Sequence, residues 1–346
     1  MTVSLNIAIV TDAWAPQTNG VVRTIGRTMD ELIAAGHRPT IISPQSFRSL
    51  PCPTYPEIRL SLFPYRRLAA RLDALQPNAI HIATEGPLGL AARRYCLRRG
   101  LPFTTAYHTR FPEYIAARFG LPLRWSYAWL RRFHAAAQAT MVATPSIEAD
   151  LKARGFMHIK RWSRGVDTRL FRPRLQANAA PPLAHLPRPI HLYVGRLAIE
   201  KNIEAFLALD LPGSKVVIGD GPQHQDLKSR FPAATFLGQK VGEDLAQLYA
   251  AADVFVFPSL TDTFGLVILE ALASGVPVAA FPVAGPKDIL QEGVSGALDR
   301  DLGAAIARAI KIPRNQCRQA AERFSWRAAT EQFLSNLVLI PVRLFT

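Results

Sequence analysis

The chain has 346 residues, of which 49% are hydrophobic and 19% are charged, with 41 Lys and Arg against 26 Asp and Glu. This composition excludes a disordered chain and, at ~150 residues per domain, predicts about two domains. Its apolar runs are too short for a membrane-spanning helix, and we expect no signal peptide at the N-terminus. The three widely spaced cysteines exclude a disulfide framework and indicate a reducing compartment.

The positive charge is concentrated in the first half of the chain. Residues 1–165 contain 22 Lys and Arg but 9 Asp and Glu, whereas residues 166–346 contain 19 and 17. The imbalance predicts a polyanionic partner for the first half. Nucleic acid, a phosphorylated substrate and an anionic membrane all fit this description. Codon bias toward Arg is the alternative, but it explains the one-sidedness poorly.

Short apolar runs alternate with segments of helical length along the chain. The runs are 5–11, 79–83, 103–106, 140–143, 190–195, 215–219, 235–238, 254–257 and 276–281. The helical segments include 21–35, 87–99, 243–251 and 265–274. This alternation is typical of βαβ units with buried parallel strands. We therefore predict an α/β protein with two tandem Rossmann-like, doubly wound parallel-sheet domains that face a central cleft, each supplying one reactant.

One segment sets the predicted domain boundaries. Residues 173–189 are rich in Pro and Ala and lack periodicity, which is typical of a linker. The domains are therefore expected at 1–172 and 190–324, and a terminal segment at 325–346.

The loop after the first predicted strand contains a candidate anion-binding residue. Gly20 lies where a strand-to-helix turn directs backbone N–H groups toward an anion. An ordinary turn with an N-cap explains the same residues equally well. The G-x-G-x-x-G pattern is absent, which weighs against a nicotinamide or flavin enzyme.

Two loops of the second half combine glycine with charge. Gly195 is followed by Arg196 and Lys201, and two cations at the carboxyl end of a strand, beside a helix start, suit a diphosphate. Gly221 belongs to a tight turn at the same predicted sheet edge. Taken singly, each cation is more typical of a solvated surface residue.

The strongest motif spans residues 257–278, where a buried strand, a turn and a helix follow one another. Asp262 precedes the helix and Glu270 lies about two turns inside it, so the two carboxylates flank a helix N-terminus that favours phosphate. Both can accept hydrogen bonds from sugar and ribose hydroxyls. An N-cap for Asp262 and a surface salt bridge for Glu270 are the alternatives, and the paired spacing makes them weaker.

These motifs resemble, in order over residues 5–330, the E-x7-E group of retaining GT-B glycosyltransferases, which is glycosyltransferase family 4-like. Within that group the chain is most similar to bacterial diacylglycerol glycosyltransferases and GDP-mannose-dependent α-mannosyltransferases. Asp262 occupies the first Glu position and is one methylene shorter, and Glu270 occupies the second. His108 matches the active-site histidine of the family. Ser163-Arg164 replaces the Asn that is common before Gly165.

The resemblance implies that a hexose passes from a nucleoside-diphosphate sugar, UDP-hexose or GDP-mannose, to an acceptor hydroxyl with retention at the anomeric carbon. The first domain then binds the acceptor, the second binds the donor, and the terminal helix returns to the first. The implied donor-binding residues are Gly20, Gly195, Arg196, Lys201, Gly221, Asp262, Phe264, Gly265, Leu266 and Glu270. The implied catalytic residues are His108, Arg196, Lys201 and Asp262.

Cofactors and an essential base are not expected. The family usually needs no tightly bound metal, and no His, Cys or Asp cluster in the sequence has the spacing of metal ligands. A phosphate oxygen is expected to accept the proton of the acceptor hydroxyl. His108 is expected to bind the sugar or the acceptor.

Arg pairs mixed with aromatic residues point the basic half toward a lipid surface. The candidate membrane or acceptor residues are Arg93, Arg94, Trp125, Trp129, Arg131 and Arg132. Such a mixture suits docking on anionic headgroups, although core aromatics beside a solvated Arg face give the same pattern. We expect a lipid acceptor such as diacylglycerol and a cytoplasmic protein peripheral on the inner face of the cytoplasmic membrane.

Three other functions are weighed against this one. A soluble or polysaccharide acceptor explains every motif but leaves the charge as compositional bias. A nucleotide-sugar epimerase can share the fold and would isomerise its substrate without an acceptor. A nucleic-acid-binding protein explains the charge but not the motifs, so no nucleic-acid partner is expected.

Overall fold

The chain forms two units in the computed structural model, which describes residues 4–17, 19–52, 55–174 and 183–341. The first unit comprises residues 1–164 together with 326–346, and the second comprises 165–325. The chain therefore passes between the units at residues 164–165, before the expected boundary at 172, and again at 325–326. Of the expected linker, residues 175–182 lie outside the described residues.

The first unit is built on a parallel sheet, which has six strands among the described residues. These strands are β1 (Asn6–Val10), β2 (Arg38–Ile42), β5 (Ala79–Ile82), β6 (Thr104–Tyr107), β7 (Ala139–Val142) and β8 (Ile159–Arg161). The antiparallel hairpin of β3 (Ser49–Cys52) and β4 (Tyr55–Ser61) lies between β2 and β5 in the sequence. The sheet order is β2-β1-β5-β6-β7-β8. The strand order therefore switches direction at β1, because β2 lies on one side of β1 and β5 to β8 lie on the other.

The second unit has its own six-stranded parallel sheet, counted over the part of the chain that the structure describes. Its strands are β9 (Ile190–Val194), β10 (Ser214–Ile218), β11 (Thr235–Phe236), β12 (Val254–Phe257), β13 (Val278–Ala280) and β14 (Gly296–Leu298). The sheet order is β11-β10-β9-β12-β13-β14. This is the doubly wound order of the Rossmann fold, with its switch point between β9 and β12. The prediction of two tandem Rossmann-like parallel-sheet domains is confirmed.

Helices connect the strands. In the first unit they are α1 (Gly20–Ala34), α2 (Tyr65–Leu75), α3 (Pro87–Arg99), α4 (Phe111–Phe119), α5 (Leu123–His134) and α6 (Pro145–Ala153). In the second unit they are α7 (Glu204–Leu207), α8 (His224–Arg230), α9 (Gly242–Ala251), α10 (Leu266–Ala273), α11 (Pro286–Ile289), α12 (Leu302–Ala309) and α13 (Arg314–Glu322). The helix α14 (Trp326–Asn336) belongs to the first unit again.

The central strands are buried on both faces, which is why their sequences are mostly apolar, with His81 in β5 and His191 in β9 as buried exceptions. Every residue of β5, β9 and β12 is buried. A parallel strand covered by helices on both sides of its sheet has no solvent-facing side chains. Among the described residues, no helix combines the length and the apolar character needed to cross a membrane.

The helix α14 completes the core of the first unit. Phe333 is fully buried, and its ring centroid lies 4.9 Å from that of His81 and 4.9 Å from that of Trp162. The amide of Asn336 donates a hydrogen bond to the carbonyl of Arg161, 2.8 Å away. The last helix is thus part of the same aromatic core as the strand β5.

Candidate functional site

The switch point of the second sheet brings two of the predicted loops together. The loop after β9 carries Gly195, Arg196 and Lys201, and the loop after β12 carries Asp262. Loops that follow strands on either side of a switch point diverge and leave a crevice at the carboxyl edge of the sheet. The motif residues of the second half therefore share the edge where doubly wound sheets bind ligands.

A direct ion pair joins these two loops. The ammonium of Lys201 lies 2.6 Å from Oδ1 of Asp262, and both side chains are partly exposed. The other oxygen, Oδ2, has no hydrogen-bond partner among the residues that the structure describes. One carboxylate oxygen thus fixes the cation, and the other is buried. The cation is held where it can approach an anionic ligand.

Further hydrogen bonds fix the two loops relative to each other. The side-chain amide of Asn202 donates to the carbonyl of Pro258, 3.1 Å away. The hydroxyls of Ser259 and Thr261 donate to the carbonyl of Glu200 at 3.4 and 3.2 Å. Preorganisation of this kind keeps Lys201 and Asp262 in place before any ligand binds.

Glycines allow the loop after β10 to pack against the loop after β9. A Cβ on Gly219 would lie 1.9 Å from the carbonyl oxygen of Gly195, and one on Gly221 would lie 2.4 Å from that of Leu197. The N–H of Leu197 donates to the carbonyl of Asp220 at 2.9 Å. Because the contact is between backbones, no side chain larger than hydrogen fits at either glycine.

The backbone of Arg196 is anchored from inside the sheet. The hydroxyl of Tyr193 donates to the carbonyl of Arg196, 2.9 Å away. Burial raises the pKa of Tyr193 well above its ordinary value, so this hydroxyl keeps its proton. A Cβ on Gly195 would lie 2.7 Å from the same hydroxyl oxygen. The absence of a side chain at Gly195 therefore leaves room for the Tyr193 hydroxyl that holds the carbonyl of Arg196.

The helix α10 begins at the same edge. Gly265 precedes it with a φ of +98°, a left-handed conformation that glycine adopts without strain, and Leu266 is the first helical residue. Phe264 is buried, and its carbonyl oxygen would lie 2.7 Å from a Cβ on Gly285. The first N–H groups of a helix have no partner within it and attract anions.

Glu270 lies deeper than the sequence pattern indicates. It is only 2% exposed, and the hydroxyl of Tyr249 donates to its Oε2 at 3.1 Å. The carboxylate therefore sits inside the unit on the second turn of α10, whereas Asp262 lies in the partly exposed loop before it. Sequence reasoning missed Tyr249, because its helix α9 carries no motif.

In the first unit, the predicted glycine loop is a capped helix start. Gly20 is the first residue of α1, and Oδ1 of Asn19 accepts hydrogen bonds from the N–H groups of Val21 and Val22, both at 3.0 Å. Asn19 thus occupies two of the N–H groups that an anion at this terminus would use.

A buried carboxylate that sequence reasoning missed lies beside this loop. Asp12 accepts hydrogen bonds from the N–H groups of Leu88 (2.9 Å) and Gly89 (3.3 Å) and from the hydroxyl of Thr84 (2.9 Å), so it caps α3. A Cβ on Gly86 would lie 2.5 Å from its Cγ. Burial raises the pKa of Asp12 to about 6. Its partners lie more than seventy residues away in the sequence, so no local spacing could have identified it.

His108 follows β6 at the carboxyl edge of the first sheet. The guanidinium of Arg164 donates a hydrogen bond from Nη2 to Nδ1 of His108, 3.1 Å away. The ring centroid of Trp162 lies 5.5 Å from that of the histidine. Burial and the positive charge of Arg164 hold the pKa of His108 well below its ordinary value. The histidine is therefore neutral at physiological pH.

The candidate membrane residues divide into two sets. Trp125 and Trp129 on α5 are 63% and 48% exposed. Arg93 instead donates to the carbonyls of Phe133 and Arg132 at 2.9 and 3.0 Å, which ties α3 to the end of α5. Two other members are also engaged within the unit, since Arg131 donates to the carbonyl of Arg154 and Arg94 lies over the ring of Tyr65.

Two family models match the chain. Residues 18–170 match the model of Glycosyltransferase Family 4, and residues 188–312 match that of Glycosyl transferases group 1. The break between the two matches falls close to the end of the first unit.

Named relatives cover most of the chain. A GDP-mannose-dependent alpha-mannosyltransferase of Mycobacterium tuberculosis is 32% identical over 85% of this chain and 83% of its own length. An alpha-monoglucosyldiacylglycerol synthase of Streptococcus pneumoniae is 27% identical over 88% of this chain and 78% of its own. Among solved structures, the sucrose-phosphate synthase of Thermosynechococcus elongatus superposes with a TM-score of 0.76 at 23% identity, covering 96% of this chain and 98% of that one. At this identity the superposition shows the shared fold alone.

Proposed function

Since the chain belongs to the glycosyltransferase family that these models and relatives define, and uses a nucleotide sugar, we propose that it transfers a hexose to a lipid hydroxyl with retention of anomeric configuration. Diacylglycerol is the proposed acceptor. GDP-mannose, which is in the name of the mannosyltransferase relative, and UDP-hexose are the proposed donors. The observation that carries the donor side is the Lys201–Asp262 pair at the switch point of the second sheet.

The proposed chemistry centres on the departing diphosphate. As the bond between the sugar and the phosphate breaks, negative charge grows on the phosphate oxygens and positive charge on the anomeric carbon. Arg196, Lys201 and the N-terminus of α10 stabilise the phosphate charge in this scheme, and preorganised donors of this kind often give the largest catalytic term. Oδ2 of Asp262 accepts a hydrogen bond from a sugar hydroxyl. The acceptor oxygen then bonds to the anomeric carbon on the face from which the diphosphate leaves, and a phosphate oxygen takes its proton, which accounts for retention.

A binding panel followed by a product assay tests this proposal. Thermal unfolding is measured with UDP-glucose, UDP-glucuronate, GDP-mannose and duplex DNA, since a ligand of the folded state raises the melting temperature. We expect one nucleotide sugar to raise it, and vesicles containing diacylglycerol then to yield a glycolipid whose anomeric configuration is read by NMR. Isomerisation of the sugar nucleotide without acceptor would favour an epimerase. Stabilisation by DNA alone, with a steep salt dependence, would overturn the proposal.

The membrane side rests on exposed apolar residues of the basic unit. Phe63, which follows the β3–β4 hairpin, is 96% exposed, and Trp125 and Trp129 project from α5. Arginines lie beside them, with Arg124 over the ring of Trp125. Exposed aromatics together with excess positive charge are typical of proteins that dock on anionic lipid. These exposed residues support a peripheral position on the inner face of the cytoplasmic membrane.

Removing both exposed tryptophans is expected to weaken vesicle binding. In the Trp125→Ala, Trp129→Ala double variant, affinity for vesicles with anionic lipid should fall by ~10-fold or more, since each ring inserted into the interface contributes ~1–2 kcal/mol. Cosedimentation with vesicles measures this. Val241→Ala is the matched control, because Val241 is 67% exposed but lies in the nearly neutral second unit. Vesicle affinity that is unchanged by lipid charge, by salt concentration and by loss of the two tryptophans would contradict the membrane assignment.

A further inference from the structure

Arg164 is a buried cation held directly against the candidate active-site histidine. It is 4% exposed, and its Nη1 donates to the carbonyls of Trp162 and Ser163 at 2.6 and 2.9 Å. Its Cζ lies 4.3 Å from the centroid of the Trp162 ring. Two carbonyls and one aromatic face thus fix the guanidinium, and its Nη2 reaches Nδ1 of His108. Its position is determined independently of the histidine.

This contact fixes where the proton of His108 lies. A guanidinium has only donors and stays charged in proteins, so the nitrogen facing it must accept. A neutral imidazole that accepts at Nδ1 carries its proton on Nε2. Protonation of both nitrogens would set an N–H against an N–H and place two positive charges 3.1 Å apart. The neutral form with a donor at Nε2 is the one that the contact permits.

The other groups around the ring do not oppose this form. Burial lowers the pKa of His81 to about 3, so this ring is uncharged between pH 5 and 8, and its Nδ1 is 2.9 Å from the hydroxyl oxygen of Thr104. Trp162 presents the edge of an uncharged ring system. The charge that acts on His108 between pH 5 and 8 is therefore that of Arg164, and it disfavours a second proton.

We infer that Arg164 is a positioning residue that locks His108 as a neutral ring with its proton on Nε2, so that His108 donates a hydrogen bond to a substrate oxygen and accepts no proton in catalysis. The substrate part of this inference rests on the proposed function, where the oxygen belongs to the sugar or to the acceptor hydroxyl. The Asn that is common at this position in the resembling family has both an acceptor and a donor and imposes no such choice.

NMR of protein with ¹⁵N-labelled histidine tests the lock without any turnover. The resonances of His108 are assigned by their loss in His108→Gln. In the wild type they should show one neutral Nε2–H tautomer throughout pH 5 to 8, whereas in Arg164→Gln they should titrate or show both tautomers. Arg161→Gln, at the residue immediately before the short Trp162–Ser163 segment that precedes Arg164, is the control and should behave as wild type. Arg164→Lys keeps a donor-only cation and should keep the Nε2–H form.

A proton on Nδ1, or titration of His108 within this pH range in the wild type, would overturn the inference. This outcome is independent of the proposed function, since it is read in the absence of substrate. Should Arg164→Gln fail to fold, the wild-type spectrum together with Arg164→Lys still decides the tautomer.

Activity variants then test the role of the Nε2 proton. The amide nitrogen of glutamine can occupy the place of Nε2, so His108→Gln should stay within ~10-fold of wild-type kcat/KM, whereas His108→Ala should fall well below it. A proton-accepting histidine predicts another result, in which both variants lose ~10²–10⁴ and the wild-type profile shows an acid limb. Equal losses in the two variants would remove the donor role. If no nucleotide sugar is turned over at all, the proposed function fails while the NMR result stands.

Discussion

Arg196→Ala is expected to lower turnover by ~10²–10³, which corresponds to the loss of one well-placed electrostatic donor at a developing charge. The carbonyl of Arg196 is held by Tyr193, and its neighbour Gly195 leaves room for that anchor, so the position of its backbone is set before the donor binds. Because the diphosphate gains charge as it departs, the loss should appear mainly in kcat. Steady-state kinetics with the donor found in the thermal-shift panel measures it.

The control for Arg196 lies in the same unit. Arg308 is about half exposed and pairs with Asp299 at 2.8 Å, away from the switch point, so Arg308→Ala should leave turnover unchanged. Arg196→Lys keeps the charge but loses the planar fork, and should fall between the wild type and the alanine variant. Near-normal turnover of Arg196→Ala would remove Arg196 from the diphosphate-binding residues.

Glu270→Ala is expected to weaken donor binding by ~10–100-fold, because hydrogen bonds to a charged group contribute ~1.5–3 kcal/mol. In the proposed role the carboxylate accepts hydrogen bonds from the ribose hydroxyls while Tyr249 holds its Oε2 from within the unit. Calorimetric titration with the nucleoside diphosphate measures the loss. It separates binding from chemistry, since the diphosphate carries the ribose but no sugar to transfer.

Two variants separate the ribose contact from the stability of the buried site. Tyr249→Phe removes the inner hydrogen bond but keeps the carboxylate. It should therefore lower the melting temperature, while donor affinity falls less than in Glu270→Ala. Glu270→Gln retains the shape and one acceptor oxygen, and its affinity should lie between those of the wild type and Glu270→Ala. Unchanged affinity in Glu270→Ala would show that Glu270 is structural only.

The sheet and the edge of the second unit could be predicted from the sequence because parallel strands buried on both faces leave a short, mostly apolar run. The strands β9 and β12 are read directly from such runs, and the charged or glycine-rich residues that follow each run necessarily lie at the carboxyl edge. The placement of Lys201 and Asp262 at the carboxyl edge follows from this rule, although they are sixty-one residues apart in the chain, and their ion pair was not predicted.

Other parts of the site depend on contacts that no local pattern encodes. Asp12 caps α3 through donors at positions 84, 88 and 89, and a single Asp after a strand gives no sign of such a distant partner. Arg164 was visible only as a departure from the family pattern, and its meaning came from the distance to His108. The burial of Glu270 was hidden because helix α10 is apolar on most of its surface and shows no single inner face.

The membership of α14 in the first unit has a consequence for the order of biosynthesis. Phe333 closes an aromatic core against His81 and Trp162, yet it leaves the ribosome only after the whole of residues 165–325 has been made. Domains commonly fold as they emerge, N-terminal first. Here the second unit can finish folding on the nascent chain while the first still exposes its Trp162 side. Helix α14, which is synthesised after the second unit, therefore completes the first unit.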